Sequence, residues 1–465
     1  MQKLKHKLRH LFDEVDIASI IVFRIFFGAI MLWEVWRYFD KNWIYTYWIK
    51  PKYHFPHWPF LSLEPLEGDG MYYLFYLMGL LSVFIIIGLF YRISIVLFFL
   101  SFTYMFLLEQ TRYLNHFYLV ALLSFVMMFI PASRSFSIDA LLFRKMRKSY
   151  VSNWHLWLLR FMIAVPFFFG GVAKINSDWL VGEPLGTWLS RITDFPIIGK
   201  YFTEYWMVLI MAYSGLIIDL FIVPFLIIKR TRIWAFLIGT TFHLMNARLF
   251  NIGIFPWFMI AASTLFFDPD WPRQWINKLF RKEIWIQNKV LKLNDNPLNK
   301  KQKLITFGLG LWVFIMVFMP LRHFLIPGNA SWTEEGHKYA WHMKLRTKRA
   351  MGLFYVKNKD GELMDIINVE QLMPYFQSRK VINRPPMIWQ FAQKIKEEYK
   401  QKGQDVSVYA DIESSLNARP PQQLTNPDID IAAEPYPVWK ADWILPLTTP
   451  LTKSSAKKEK IEKID

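Results

Sequence analysis

The chain alternates long apolar runs with short polar loops through its first two thirds. Nine apolar stretches stand out, near 17–36, 71–91, 93–109, 115–131, 156–174, 206–228, 233–250, 253–267 and 304–325. A helix perpendicular to a bilayer needs about 20 apolar residues. Several runs are shorter, so they are expected to be tightly paired or locally irregular. The pattern predicts an α-helical polytopic membrane protein of about nine spans. Segments 135–150 and 274–292 carry Trp, Phe and Leu among lysines and read as helices at the headgroup level.

Beyond residue 325 the pattern changes. "LFYVKNKDGELMDIIN" reads as a hairpin around Asp360-Gly361, "PPMIWQFAQKIKEEYKQKG" as one helix, and "DVSVYADI" as another strand. The predicted organisation is therefore a helical membrane domain at 1–325, a β-rich extracytoplasmic domain at 326–452, and a charged disordered tail at 453–465. No internal repeat is visible.

Composition supports the membrane reading. Hydrophobic residues make up 54% of 465 positions, with 42 Phe, 21 Trp and 21 Tyr, too apolar for an ordinary soluble domain. The net charge of +18 would suggest nucleic acid in a soluble protein. Here the cations cluster in alternate loops, "KLKHKLRH", "RKMRK", "KRTR" and the lysine-rich 273–303. Loops 37–70 and 175–205 are balanced. With the N-terminus in the cytoplasm, every strong basic cluster among the spans falls on one side. No small-residue cleavage site follows the first run, which reads as a retained span. The absence of cysteine excludes disulfides, thiol nucleophiles and Cys-based metal sites. The ten histidines show no metal-binding spacing, and no metal is expected.

Polar residues inside apolar runs are functional candidates. By this topology Lys174, Asn115, His116, His243, Asn246 and Arg248 lie at one depth, toward the outer face. A quinone or lipid-like substrate could enter such a site sideways from the bilayer. Each residue also has a plainer reading. Lys174 could snorkel, Asn115 could cap its helix, and His243 could pack with its nitrogens satisfied. Asp219, Arg24 and Arg160 read as structural pairing groups. Burial disfavours the charged form of an amine, and a neutral amine is a general base near pH 7. Imidazole and amide groups could stabilise an anion formed beside it. Gly170-Gly171 would allow close approach of a helix or a ligand.

The segment "FGGVAKINSDWLVG" resembles the region around the active-site lysine of vitamin K-dependent γ-glutamyl carboxylases. "DIASIIVFRIFFG", "TRYLNHFYLVALL", "GLIIDL", "FHLMNARLFNIGIFPWFM" and "GNASWTEEGHKYAWHM" match that family in order, across nearly the whole chain. The resemblance implies an integral-membrane lyase that oxygenates reduced vitamin K (phylloquinol or menaquinol) to the epoxide. O2 and CO2 are co-substrates, and a peptide glutamate becomes γ-carboxyglutamate. It implies Lys174 as the base, Asn115 and His116 as partners of the quinol oxygens, and His243, Asn246 and Gly171 as cofactor-binding positions. Expected partners are a glutamate-containing peptide or protein and membrane lipid, with no nucleic acid, metal, biotin or nucleotide.

Three departures qualify the expectation. Animal members have two adjacent lysines where this chain has Ala173-Lys174. Their disulfide between outer domain and membrane part has no counterpart here. Arg346 stands where they carry a histidine. The nearest alternative is a vitamin K hydroquinone epoxidase without carboxylation. Alternatives of other classes are a transporter or lipid-handling protein and an inert scaffold.

Overall fold

The computed structural model describes residues 8–61, 63–280, 293 and 296–451. The expected tail at 453–465 and the second half of the expected interfacial segment at 274–292 lie outside the described residues. The principal helices are α1 (Ala18–Asp40), α2 (Gly70–Ile87), α3 (Tyr91–Leu108), α4 (Asn115–Met127), α5 (Asn153–Ala173), α6 (Tyr205–Ile227), α7 (Arg232–Phe250), α8 (Phe255–Ser263) and α9 (Lys300–Leu321). They coincide with the nine apolar runs. Six of them, α1, α2, α3, α5, α6 and α9, are long and apolar enough to cross a membrane. The helices α4 and α8 are shorter, and α7 is interrupted by polar residues at its C-terminal end.

Local chemistry sets the helix ends. Gly88, at φ +64°, turns α2 into α3 with its amide on the last carbonyls of α2. Arg24 reaches this corner from the middle of α1. Its guanidinium donates to the carbonyls of Ile86, Ala132 and Phe136 at 3.2, 3.0 and 2.7 Å. Arg160 similarly donates to Leu265 and Phe267 carbonyls. Both arginines are structural, but they satisfy backbone oxygens left over at helix ends rather than carboxylates.

The 135–150 segment corrects the expectation of one interfacial helix. Asp139 turns inward and accepts the free amides of Phe90 and Tyr91 at the start of α3. That leaves a short helix, Ile138–Leu142, and a single 3-10 turn, Arg144–Met146, before the chain extends. It then forms β2 (Tyr150–Ser152), antiparallel to β1 (Glu14–Asp16).

The C-terminal part is a four-stranded antiparallel sheet in the order β4-β3-β5-β6, with β3 Lys348–Lys357, β4 Leu363–Ile367, β5 Ser407–Leu416 and β6 Gln422–Gln423. The β3–β4 turn has Gly361 at φ +82°. Helix α10 (Pro385–Gln401) packs Met387, Ile388, Phe391 and Ile395 with Phe354, Val356, Val408 and Ile412 of the sheet. Tyr53 and Phe55, from the loop after α1, join this core. In exchange, Trp341 enters the core of the helical bundle. The two parts are thus interlocked.

Polar contacts fasten the same seam. Asp178 receives Arg419 at 2.5 and 2.8 Å and Asn417 at 2.6 Å. Gln377 donates to Glu109 at 2.9 Å, and Trp188 to Thr347 at 2.8 Å.

Candidate functional site: two cavities sharing one wall

Lys174 follows the last residue of α5. Two residues on, the Asn176 side chain accepts the Trp179 amide and starts a new helical turn. This break leaves the lysine side chain curled back under its own helix. Nζ donates to the Gly170 carbonyl at 3.2 Å and to Asp219 Oδ2 of α6 at 2.5 Å. The Trp179 ring lies 5.4 Å away. Lys174 and Asp219 are 6% and 5% exposed. The lysine therefore does not snorkel into solvent. It is not the lone desolvated amine expected either, because a buried charge requires a partner. The partner was legible in part: Asp219 is the single charged residue of α6.

The pair lines a cavity of about 410 Å³ bounded by α5, α6, α7 and α8. Its other walls are almost wholly apolar and aromatic. Trp234, Leu237 and Ile238 of α7 line it and are also exposed on the apolar outer surface. His243 and Asn246 line the same cavity. The His243 ring sits among Phe167, Phe242 and Phe255 at 5.5–6.0 Å. Both its nitrogens are buried without a hydrogen-bond partner. It packs, as the plainer reading expects, but it is not satisfied. Arg248 is exposed and does not line the cavity.

Gly171 also does not line it. A Cβ there would stand 2.7 Å from Leu220 Cδ2 and 3.0 Å from the Leu220 amide nitrogen. The glycine serves helix approach rather than ligand approach. It lets α5 and α6 come close enough for Lys174 to meet Asp219. Gly171→Ala is expected to cost about 1–3 kcal/mol by overpacking. A lowered denaturation midpoint, with Gly170→Ala compared in parallel, checks this.

Asn115 and His116 are not in that cavity. They line a second one, of about 470 Å³, between the bundle and the segment leading to β3. Asn115 does not cap α4, where Leu114 takes that place. Its carbonyl accepts from the Tyr113 hydroxyl at 2.9 Å, and its amide donates to the His342 carbonyl at 3.0 Å. The His116 ring stacks on Phe255 at 5.7 Å. Phe255 thus touches both His116 and, edge-on, His243. Phe250, Ile252, Phe255, Met343 and Lys344 line both cavities and form the shared wall. Residues converging in depth were legible in sequence; their division by this wall was not.

The second cavity is strongly cationic. Arg37, Arg112, Lys338, Lys344, Arg346 and Arg384 line it, against Glu34 and Glu334. Arg346 forks onto both oxygens of Glu334. Sequence reading singled out Arg346 alone among these. The others come from distant segments and gather only through docking of the sheet domain.

Two family matches cover most of the chain. Residues 12–271 match the HTTM domain. Residues 301–450 match the lumenal domain of vitamin K-dependent gamma-carboxylase. No solved structure matches the chain. With the helical half and the sheet domain matched separately and in order, the chain belongs to the vitamin K-dependent gamma-carboxylase family.

Proposed function

We propose that this membrane enzyme converts reduced vitamin K to its epoxide at the first cavity and couples this to carboxylation of a peptide glutamate at the second. The observation that carries the reading is the buried Lys174–Asp219 pair beside unpartnered His243 on an otherwise apolar wall. A hydroquinone fits those walls, because its ring and tail are apolar and its hydroxyls need polar partners. The exposed outer face of Trp234, Leu237 and Ile238 supports entry from the lipid. When bound, vitamin K supplies the oxygen-driven basicity that a side chain lacks.

The chain's own groups hold and move protons. Lys174 and Asp219 work as one unit. Asp219 accepts from Lys174 and orients its amine toward the cavity, so that the pair together takes a proton from a hydroxyl there. His243 offers a hydrogen bond to the resulting oxyanion. The Gly170 carbonyl fixes the amine, and the aromatic walls keep water out. Asn115, held at both ends, and His116 serve the glutamyl side of Phe255. This reassigns them from the quinol oxygens. The cationic cavity supports recognition of a carboxylate and favours carboxylation over epoxidation alone. The basic loops support a cytoplasmic N-terminus and an extracytoplasmic sheet domain.

Purified protein supplied with reduced vitamin K and oxygen is expected to form the epoxide. Adding a glutamate peptide and labelled bicarbonate is expected to place label in the peptide. Well-folded protein that makes no epoxide refutes the reading. Epoxide without label refutes its carboxylation half.

A further inference from the structure

We infer that the second cavity is a dianion site, shaped by charge for two carboxylates on one carbon rather than for one carboxylate. The inference rests on the carboxylase reading for its biological meaning, since that reaction adds a second carboxylate to the same carbon. The binding claim itself stands on the arrangement of charges.

Each acid of the cavity is already engaged. Glu34 pairs with Arg37 at 2.5 Å, and Glu334 with Arg346. Arg112, Lys338, Lys344 and Arg384 remain, and none makes an ion pair among the described residues. Their surroundings are makeshift for cations. Arg112 lies 3.8 Å from the Tyr47 ring centre, with Nε buried and unpartnered. Lys344 lies over the rings of Trp188 and Phe250 at 5.5 and 5.3 Å. Among the described residues the Arg384 side chain donates to the Gln110 carbonyl alone, at 3.4 Å. Burial, with Arg384 nearby, brings Lys338 down to about 7, and burial also lowers Lys344.

Six basic side chains against two carboxylates leave an excess of positive charge, with Lys338 partly neutral near pH 7, and that excess is unfavourable in a partly desolvated space. One carboxylate relieves part of that repulsion. A second carboxylate on the same carbon brings its charge to the same group of cations and relieves more. Affinity therefore rises when the ligand gains its second charge. Lys344 is the cation on the wall shared with the first cavity, so the added charge lands nearest the chemistry. The enzyme would then bind its product form more tightly than its substrate form, and release of product would be slowed.

The test compares malonate with propionate on the full chain in detergent, by calorimetric titration at constant ionic strength. Malonate is expected to bind about tenfold more tightly or better, with an advantage that shrinks as salt rises. Lys344→Met is expected to reduce the malonate advantage while leaving propionate binding little changed. Equal affinity for the two ligands in the unmodified protein overturns the inference without any variant having to fold. Epoxide formation is scored separately on the same preparation. No malonate preference in the unmodified protein with epoxide intact refutes the dianion site alone, whereas missing epoxide refutes the functional reading.

Discussion

Lys174→Ala is expected to abolish epoxide formation at neutral pH, a loss of about 10²–10⁴-fold, the usual range for removing a general base. Rate should return in part at alkaline pH, where hydroxide replaces the amine. Activity equal to the unmodified protein at neutral pH would remove Lys174 from the base role. Geometry adds a control. Taking away one member of a buried pair leaves the other charge unpartnered, which costs about 3–5 kcal/mol. Loss of activity in the single variant could then reflect misfolding around Asp219. The double variant Lys174→Met/Asp219→Leu removes both charges and keeps apolar volume at the α5–α6 contact. It is expected to fold with near-normal thermal stability and to remain inactive. An active double variant would show that the pair is only a helix fastener.

Arg419→Ala is expected to loosen the sheet domain from the bundle, lowering stability by about 3–5 kcal/mol. The Asp178–Arg419 pair is nearly dry, with side chains 7% and 8% exposed, so solvent screening is weak. It lies on the seam between bundle and sheet domain, which this cysteine-free chain closes with charge and with the exchange of Tyr53, Phe55 and Trp341. The same pair gives an acid dependence. Burial alone pushes the Asp178 carboxyl up, but hydrogen bonds from Arg419 and Asn417 outweigh it and hold the carboxyl below its usual value. Its stabilisation is therefore complete above about pH 4, the unfolded value, and is lost as pH falls through the lower folded value. In Arg419→Ala the main opposing cause is gone, so the carboxyl is held down less and the acid loss it contributes should shrink or reverse. Melting temperature measured against pH in both proteins checks the sign. Coincident acid limbs would remove Asp178 from the seam's charge balance.

Much of this architecture was readable along the chain. Apolar runs mark α1 to α9, six of them long and apolar enough to cross a membrane, where backbone polar groups must be satisfied within a helix. The Asp360-Gly361 hairpin, the Pro385 helix start and the strand at 407–416 follow from equally local rules. The 135–150 segment escaped, because its inward Asp139 caps a helix nearly fifty positions earlier in the chain. No local pattern announces such a partner.

The site divides in the same way. Sequence alone pointed to polar side chains gathered within an apolar bundle, since hydropathy and loop charge act along the chain. It also marked Lys174, His243 and Asp219 as unusual, because polar groups are rare in such runs. Only the tertiary structure decided that Asp219 faces Lys174, that Gly171 serves that contact, and that Phe255 parts His243 from His116. Only docking of the sheet domain gathered Arg112, Lys338, Lys344 and Arg384 around one space. Pairing across helices depends on rotation and packing of whole elements, and periodicity within one segment carries no information about its neighbour's azimuth.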